Sequence, residues 1–288
     1  MRKQLDRPMK ILHVVAGDLT GGAARGAYWL HLGLRELAID SKIVTNSNET
    51  FGDKNIVSIT GNTRSKISNR VRGQFDPLPT LFYRNRQRVI FSTGFTGFDF
   101  TKTREYEEAD IIHLHWVNNG FVNIKHLSKI SKPIVWTMRD MWPMTGGCHY
   151  SMRCEKYKTG CGKCTQLNSS LRYDLSKVVL NRKARYIPKN TIFIGISDWL
   201  SEKAKESYLL RNFDVRTIPN CINTQDFFPI DKQVARTVLG LKTDKKIILA
   251  GAQSVNDFYK GFNKFIEAVR QLDENTYYLC FFGRLDTR

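Results

Sequence analysis

The sequence predicts an α/β protein, with a doubly wound, parallel-sheet, Rossmann-like N-terminal domain followed by the beginning of a second Rossmann-like domain. Short apolar, β-branched runs alternate with segments of helical spacing, and strands that alternate with helices form parallel sheets covered on both faces. A polar, proline-containing stretch then precedes a new apolar run. At 288 residues, 41% of them hydrophobic, the chain is long enough for one large or two ordinary domains.

The individual elements follow from these runs. A first helix after Gly21-Gly22 is predicted from apolar residues at steps of three and four, namely Ala23, Ala27, Leu30, Leu34 and Leu37. The strands of the first domain are predicted at 10–16, 42–45, 56–59, 110–115, 133–137, 191–196 and 215–218.

The predicted boundaries are 1–222 for the N-terminal domain, 223–245 for the linker and 246–288 for the start of the second domain. That second part contains a strand at 246–251, a helix at 263–272 and a strand at 276–282. One βαβ unit cannot bury both faces of a sheet. We therefore expect this domain to be truncated, or to be completed by a complementary donor-domain chain.

The net charge of +18 suggests an anionic partner. Between residues 61 and 90 a single acid, Asp76, accompanies seven basic residues interleaved with apolar ones. The segment is either a docking face for anionic lipid headgroups or an ordinary solvated face. The basic residues are Arg64, Lys66, Arg70, Arg72, Arg84, Arg86 and Arg88.

The expected location is the cytoplasm, with peripheral binding at the inner face of the membrane. No apolar run approaches the roughly 18 to 20 residues of a membrane-spanning helix. The early run 11–17 is too short and polar for a signal peptide, since it contains His13. Six cysteines without a secretory signal indicate a reducing compartment.

A glycine-rich loop at 17–26 follows the first predicted strand and opens the first helix. Its small residues, among them Gly21 and Gly22, allow an anion or a sugar hydroxyl to approach backbone N–H groups at the positive helix end. The spacing matches neither the dinucleotide fingerprint nor a P-loop, which disfavours redox and nucleotide-hydrolase functions. The alternative is a tight strand-to-helix turn without a ligand.

Two polar motifs follow neighbouring strands at the edge where open α/β sheets bind ligands. His113-Leu114-His115-Trp116 ends one strand, and alternation places both histidines on one face. Arg139-Asp140 follows the next strand. The histidines are either functional or structural, and the charged pair either binds a polar substrate or caps the loop.

Four cysteines lie close together in a glycine-containing loop at 146–165. Thiolates at short spacing can close a tetrahedral zinc site, with His149 as an alternate ligand. The alternatives are free thiols or, less favoured, a redox pair. The candidate structural zinc ligands are Cys148, Cys154, Cys161 and Cys164.

Together these segments resemble family 4 of the retaining glycosyltransferases, which have the GT-B fold, and particularly bacterial capsular and exopolysaccharide enzymes. Five segments carry the likeness. They are Gly21-Gly22-Ala23-Ala24-Arg25, His113-Leu114-His115-Trp116, Thr137-Met138-Arg139-Asp140-Met141-Trp142, Ile196-Ser197-Asp198-Trp199-Leu200, and Ile218-Pro219-Asn220-Cys221-Ile222-Asn223-Thr224 with Phe228-Pro229.

The resemblance implies transfer of a hexose-type sugar from a nucleoside-diphosphate sugar to a glycan or lipid-linked acceptor in a cleft between two domains. No cofactor is obligatory for catalysis, since cationic groups neutralise the departing diphosphate. His115 would be the catalytic residue that approaches the reacting sugar. The expected acceptor-binding residues are Gly21, Gly22, Arg25, Arg139 and Asp140, and the expected donor-binding residues are Gly251, Ser254 and Lys260.

Three departures from the family pattern concern the donor side. Ala252 stands where the family usually has an arginine, Cys221 stands where glycine would be easiest, and no Glu-x7-Glu pair occurs in the sequence. We therefore expect the chain as given to transfer sugar poorly. The alternative functions are a nucleic-acid-binding protein with a zinc-stapled loop, although no nucleic acid is expected, and a noncatalytic glycan-binding subunit.

Overall fold

The computed structural model describes residues 7–48, 50–241, 243–254 and 258–284. The chain forms two compact units that divide between Asn223 and Thr224. No described helix is both long and apolar enough to cross a membrane.

The first unit contains a parallel sheet of seven strands in the order β3-β2-β1-β4-β5-β6-β7. Every strand predicted in this unit is present. The strand order reverses between β1 and β4, so the loops after these two strands border the crevice in which doubly wound sheets bind ligands. The strands are β1 Lys10–Val15, β2 Asp40–Thr45, β3 Ile56–Ser58, β4 Ile111–Leu114, β5 Ile134–Met138, β6 Ile192–Gly195 and β7 Asp214–Thr217.

Side-chain oxygens fix several helix starts. Asn62 and Ser65 form a reciprocal capping box on α2, while Asp174 and Ser197 cap α4 and α5. The α-helices are α1 Gly22–Glu36, α2 Thr63–Phe75, α3 Arg104–Glu108, α4 Leu175–Tyr186, α5 Asp198–Glu206, α6 Lys232–Val238 and α7 Phe262–Val269. Short 3₁₀ helices occupy Leu78–Phe82, Phe100–Lys102, Ile124–Lys129, Trp142–Met144, Lys156–Lys158 and Phe258–Lys260.

The main core lies on the sheet face that carries Leu12, Ile112, Trp136 and Phe193, all at most 1% exposed. These residues alternate with side chains of the opposite face, as the period of two requires. Trp136 donates its indole N–H to the His115 carbonyl oxygen over 3.0 Å, so the largest core side chain also ties β5 to the end of β4.

The apolar face predicted for α1 is wrong in detail. The residues that α1 buries are Ala24, Gly26, Ala27 and His31, whereas Leu37 is 74% exposed. The buried stripe includes a glycine and a histidine, which a count of apolar residues does not detect. Leu30 and Leu34 instead border an open apolar cavity of about 400 Å³ beside the sheet.

The second unit contains a parallel pair of strands, β8 Lys246–Ser254 and β9 Tyr277–Arg284. Both predicted strands exist, but β8 continues three residues past Gly251, with an irregular register between Gly251 and Ser254. α7 lies between them and ends at Val269, short of the predicted 272. None of the residues described in this unit with an assigned exposure is buried. Residues 285–288 of the predicted domain lie outside the described part of the chain.

Candidate active site

Three histidines meet at the point where the strand order reverses. His13 on β1 is the register partner of His113 on β4, and His115 follows β4. The His113 and His115 rings stack with centroids 4.2 Å apart, and His13 lies 5.0 and 5.1 Å from them. The prediction that His113 and His115 share one face is confirmed. The third member, His13, was missed as a site residue, although a polar residue in an apolar strand was a usable signal.

A directional hydrogen-bond chain runs through this cluster. Arg139 Nη2 lies 3.2 Å from His115 Nδ1, and His115 Nε2 lies 2.9 Å from His13 Nδ1. A guanidinium only donates, so the proton of neutral His115 sits on Nε2 and is donated to His13. The proton of His13 then sits on Nε2, a buried atom with no partner among the described residues. His113 is fixed separately by Thr137 Oγ1, 2.8 Å from its Nε2.

Burial keeps the cluster uncharged. Desolvation, with a smaller contribution from Arg139, lowers the pKa of His113 to about 3. The pKa values of His13 and His115 are also well below the ordinary value, because of burial and then neighbouring histidines. One ring nitrogen from each of the three histidines lies within 4.8 Å of the other two, close enough for the three to bind one metal ion. The adjacent charge, however, is the Arg139 cation, which opposes a second cation, so we interpret the cluster as a neutral relay.

Arg139 is the half-buried outer end of this relay. It follows β5, donates through Nη1 to Asn220 Oδ1, and has a pKa that burial lowers to about 10. Gly26 in α1 provides its space, since a Cβ at that position would lie 2.5 Å from Nη1. Sequence reasoning did not assign a role to Gly26.

Asp140 stabilises the loop after β5 through hydrogen bonds. Of the two roles left open for the Arg139-Asp140 pair, substrate binding or capping of the loop, this is the second. Its carboxylate lies 2.6 Å from His149 Nδ1, and it accepts from the indole N–H of Trp116 over 3.0 Å and the backbone N–H of Trp142 over 2.8 Å. His149 Nε2 lies 2.9 Å from Ser92 Oγ. Both ring nitrogens of His149 therefore have hydrogen-bond partners in this loop, and its role as an alternate metal ligand stays a prediction.

The glycine-rich loop is shaped for a close approach of ligand to backbone. Gly17 has φ +92°, and its N–H donates to Asn46 Oδ1 over 2.8 Å. Gly21 occupies the N-cap of α1 without a side-chain cap, and the first turn has no acidic residue. The Gly22 and Arg25 positions next to it are exposed. The positive end of α1 therefore remains accessible.

The predicted donor-side residues lie in the second unit. Gly251 and Ser254 belong to β8, and a Cβ at Gly251 would lie 2.2 Å from the Phe282 carbonyl oxygen. Lys260 ends the 3₁₀ helix before α7 and is exposed. Gly261, with φ +67°, makes the turn into that helix.

The four cysteines of the 146–165 loop line one cavity of about 20 Å³. Cys164 is buried and the others are half-buried. Burial raises the thiol pKa of Cys148 to about 12 and that of Cys161 to about 11. Within the described residues, ring nitrogens of the three clustered histidines lie within 4.8 Å of one another, whereas no three of these sulfurs lie that close together. The thiols thus surround the cavity without touching as a group.

Comparisons with known proteins agree with this architecture. No family model matches the chain. It is 40% identical over 63 residues to the putative colanic acid biosynthesis glycosyl transferase WcaC of Escherichia coli (strain K12), a match that spans 20% of this chain and 16% of that protein. The predicted resemblance to glycosyltransferases is confirmed.

Solved structures extend the comparison to nearly the whole chain. WaaG, a glycosyltransferase involved in lipopolysaccharide biosynthesis, superposes with a TM-score of 0.51 at 14% identity, over 96% of this chain and 64% of that one. A glycosyltransferase from Rickettsia africae ESF-5 gives 0.48 at 12% identity, over 95% of this chain and 68% of that one. The WaaG match shows a shared Rossmann-like α/β fold.

Proposed function

We propose that the protein is a nucleotide-sugar-dependent glycosyltransferase that acts on a glycan or lipid-linked acceptor in polysaccharide biosynthesis. The observation that carries the proposal is the buried relay Arg139–His115–His13 beside an uncapped helix N-terminus, at the strand-order reversal. The similarity to WcaC supports the reaction class. We assign residues 1–222 to the acceptor side, 223–245 to a linker and 246–288 to the donor side.

On the acceptor side, the exposed Gly22 presents its backbone N–H to a hydroxyl group of an acceptor, while the Gly21 N–H donates to Asp18 Oδ1 over 2.8 Å and shapes the turn into α1. Arg25, exposed in the first turns of the helix, adds a cation. Asp140 contributes indirectly, because it holds Trp116 and the loop after β5.

At the reaction centre, His115 is 2% exposed and lies behind Arg139. We propose that a bound sugar draws the Arg139 guanidinium outward, which frees the Nδ1 lone pair of His115 for a sugar hydroxyl. The His115 imidazole stays neutral and oriented, because its Nε2 proton is held by His13. Arg139, once drawn outward, can bind a hydroxyl or anionic group of the acceptor.

On the donor side, we propose that Lys260 binds the diphosphate and that Gly251 and Ser254 lie against the donor. Lys260 is an exposed cation just before the α7 N-terminus, a combination that favours phosphate oxygens. No metal or other cofactor is required for the transfer that we propose, since these cations supply the needed charge.

We also propose peripheral binding to an anionic membrane at the cytoplasmic side. Ile67, Val71 and Phe75 form a stripe along α2 but are 43–59% exposed, and Phe82 in the following 3₁₀ helix is 90% exposed. Exposed basic residues, including Arg64, Lys66, Arg70, Arg84 and Arg88, accompany them. The segment's acid, Asp76, is buried and accepts hydrogen bonds from Thr93 and Phe95, so its charge does not face solvent.

Vesicle sedimentation tests this membrane proposal. Replacing Arg70 and Arg84 by Gln should weaken binding to anionic vesicles about 30-fold, from about 1 kcal/mol for each basic residue. The matched control, Lys102→Gln with Lys205→Gln, removes two exposed lysines elsewhere and should bind normally. Equal binding of both double variants would exclude this surface.

Neither alternative function is favoured. A nucleic-acid-binding protein leaves the histidine relay unused, and the similar proteins are glycosyltransferases. A noncatalytic glycan-binding subunit remains distinguishable by experiment, since it would bind glycan without releasing a nucleoside diphosphate.

The transfer proposal is tested by incubating the native-source protein with a panel of nucleoside-diphosphate sugars and a membrane lipid extract as acceptor. His115→Ala should reduce turnover by at least about 100-fold, the usual contribution of a positioned acid–base group. His126→Ala, a partly buried histidine outside the cluster, is the control. Unchanged turnover in His115→Ala would remove the catalytic assignment.

A further inference from the structure

The cysteine-lined cavity of the 146–165 loop is a site without a role in sugar transfer. Cys148, Cys154, Cys161 and Cys164 approach it from three separate parts of one loop, and the cavity of about 20 Å³ has room for a single ion or water molecule. Free thiols can be buried one at a time, and their packing does not require four cysteines to surround one cavity. Soft thiolate sets of this kind select zinc.

The turn between Cys161 and Cys164 has an unusual backbone. Cys161, Gly162 and Lys163 have φ values of +55°, +92° and +46°. Positive φ at non-glycine residues is unfavourable and persists only when surrounding structure holds it. Hydrogen bonds from Gly162 N–H to Ser176 Oγ and from Cys164 N–H to Asp174 Oδ2, at 3.0 and 2.7 Å, fix this turn to α4.

A buried lysine, Lys183, lies beside the cluster, and burial lowers the pKa of its amino group to about 7. Lys183 is fully buried, donates to the carbonyl oxygens of Trp142 and Thr145, and lies over the Trp142 ring. None of these partners carries a full negative charge, although Cys148 and Cys161 lie within electrostatic range. Four thiolates around one Zn²⁺ carry net negative charge, which would balance this ammonium group.

We propose that the four cysteines bind one structural Zn²⁺ ion, and that this ion fixes the loop that presents His149 to Asp140. The sulfurs stand around the cavity, so binding turns the side chains inward to the Zn–S length of about 2.3 Å. His149 then holds Asp140 and, through it, Trp116 at the end of β4. The metal therefore has a structural role and takes no part in the transfer.

The test is metal and thiol analysis of the whole chain, purified without chelators. About one equivalent of zinc, release of four thiols by chelator, and thiolate-to-metal absorption bands after Co²⁺ exchange are expected. Less than about a tenth of an equivalent of zinc, a disulfide, or iron with sulfide would overturn the proposal. None of these readouts depends on sugar transfer, so failure of the proposed transferase function would leave this result unaffected.

Variants provide the matched comparison. Cys161→Ser should lose the bound zinc, and Cys221→Ser and Cys280→Ser, at the two cysteines outside the loop, should retain it. Chelation should also lower the Tm of the wild type, because a ligand that binds only the folded state stabilises it. Zinc retained in full by Cys161→Ser would contradict the assigned ligand set.

Discussion

Replacement of Gly26 by alanine tests the position of the Arg139 guanidinium group. The new Cβ would lie 2.5 Å from Nη1, 3.1 Å from Cζ and 3.3 Å from Nη2 of Arg139. The guanidinium must therefore move by about 1 Å to reach ordinary contact distance. Gly33 in the same helix is the control, since nothing lies within 4 Å of a Cβ there.

Both substitutions gain helix propensity, but only Gly26→Ala displaces Arg139. Alanine is favoured over glycine inside a helix by about 1 kcal/mol, so Gly33→Ala should stabilise the protein by that amount. Gly26→Ala gains the same, but the displaced Arg139 loses hydrogen bonds to His115 and Asn220. Bonds from a charged donor contribute about 1.5–3 kcal/mol each, which leaves Gly26→Ala less stable than Gly33→Ala by about 3 kcal/mol or more.

Urea unfolding of both variants measures this difference directly. Nitrogen-15 NMR of the histidines provides a second readout, because the Nδ1 resonance of His115 should shift once this atom no longer accepts a hydrogen bond from Arg139. Equal stability of Gly26→Ala and Gly33→Ala, with unchanged histidine resonances, would refute the placement of Arg139.

Three other changes test separate parts of the structure. His113 has a folded-state pKa of about 3 against an ordinary 6.5, so its stabilising contribution is present above pH 6.5 and is lost as the pH falls towards 3. His113→Asn should therefore reduce the slope of unfolding free energy against pH in that window by up to about 1.4 kcal/mol per unit, and an unchanged slope in urea unfolding would contradict the burial of a neutral His113. Gly146→Ala places a Cβ 2.3 Å from the Ser176 carbonyl oxygen, a backbone atom that cannot turn aside; it should abolish zinc retention, and full retention would show that the loop tolerates the displacement. Phe82→Ser should leave the urea midpoint nearly unchanged because the side chain is 90% exposed, within about 0.5 kcal/mol, yet weaken vesicle binding; a large loss of stability would mean that Phe82 is packed.

The sheet could be predicted from the sequence because its strands are buried on at least one face and read as short β-branched runs. The joint position of His113 and His115 followed from strand alternation alone. The extension of β8 to Ser254 could not be predicted, since Gln253 and Ser254 are polar and the register is irregular there.

Contacts between residues far apart in the sequence account for the roles of His13 and Gly26, which were missed. His13 joins the site only because β1 lies beside β4 in register, which a linear pattern does not specify. Gly26 matters through contact with Arg139, more than a hundred positions away in the chain. The buried stripe of α1 was misplaced for a related reason, because it uses Gly26 and His31 where the pattern favoured leucines.

The central claim is that the Arg139–His115–His13 relay serves sugar transfer, and the release of nucleoside diphosphate by protein from its native source tests it most directly. With an accepted donor and a membrane lipid extract, the account predicts release that depends on the acceptor and falls by at least about 100-fold in His115→Ala. Release that is equal in the wild type and in His115→Ala would contradict it.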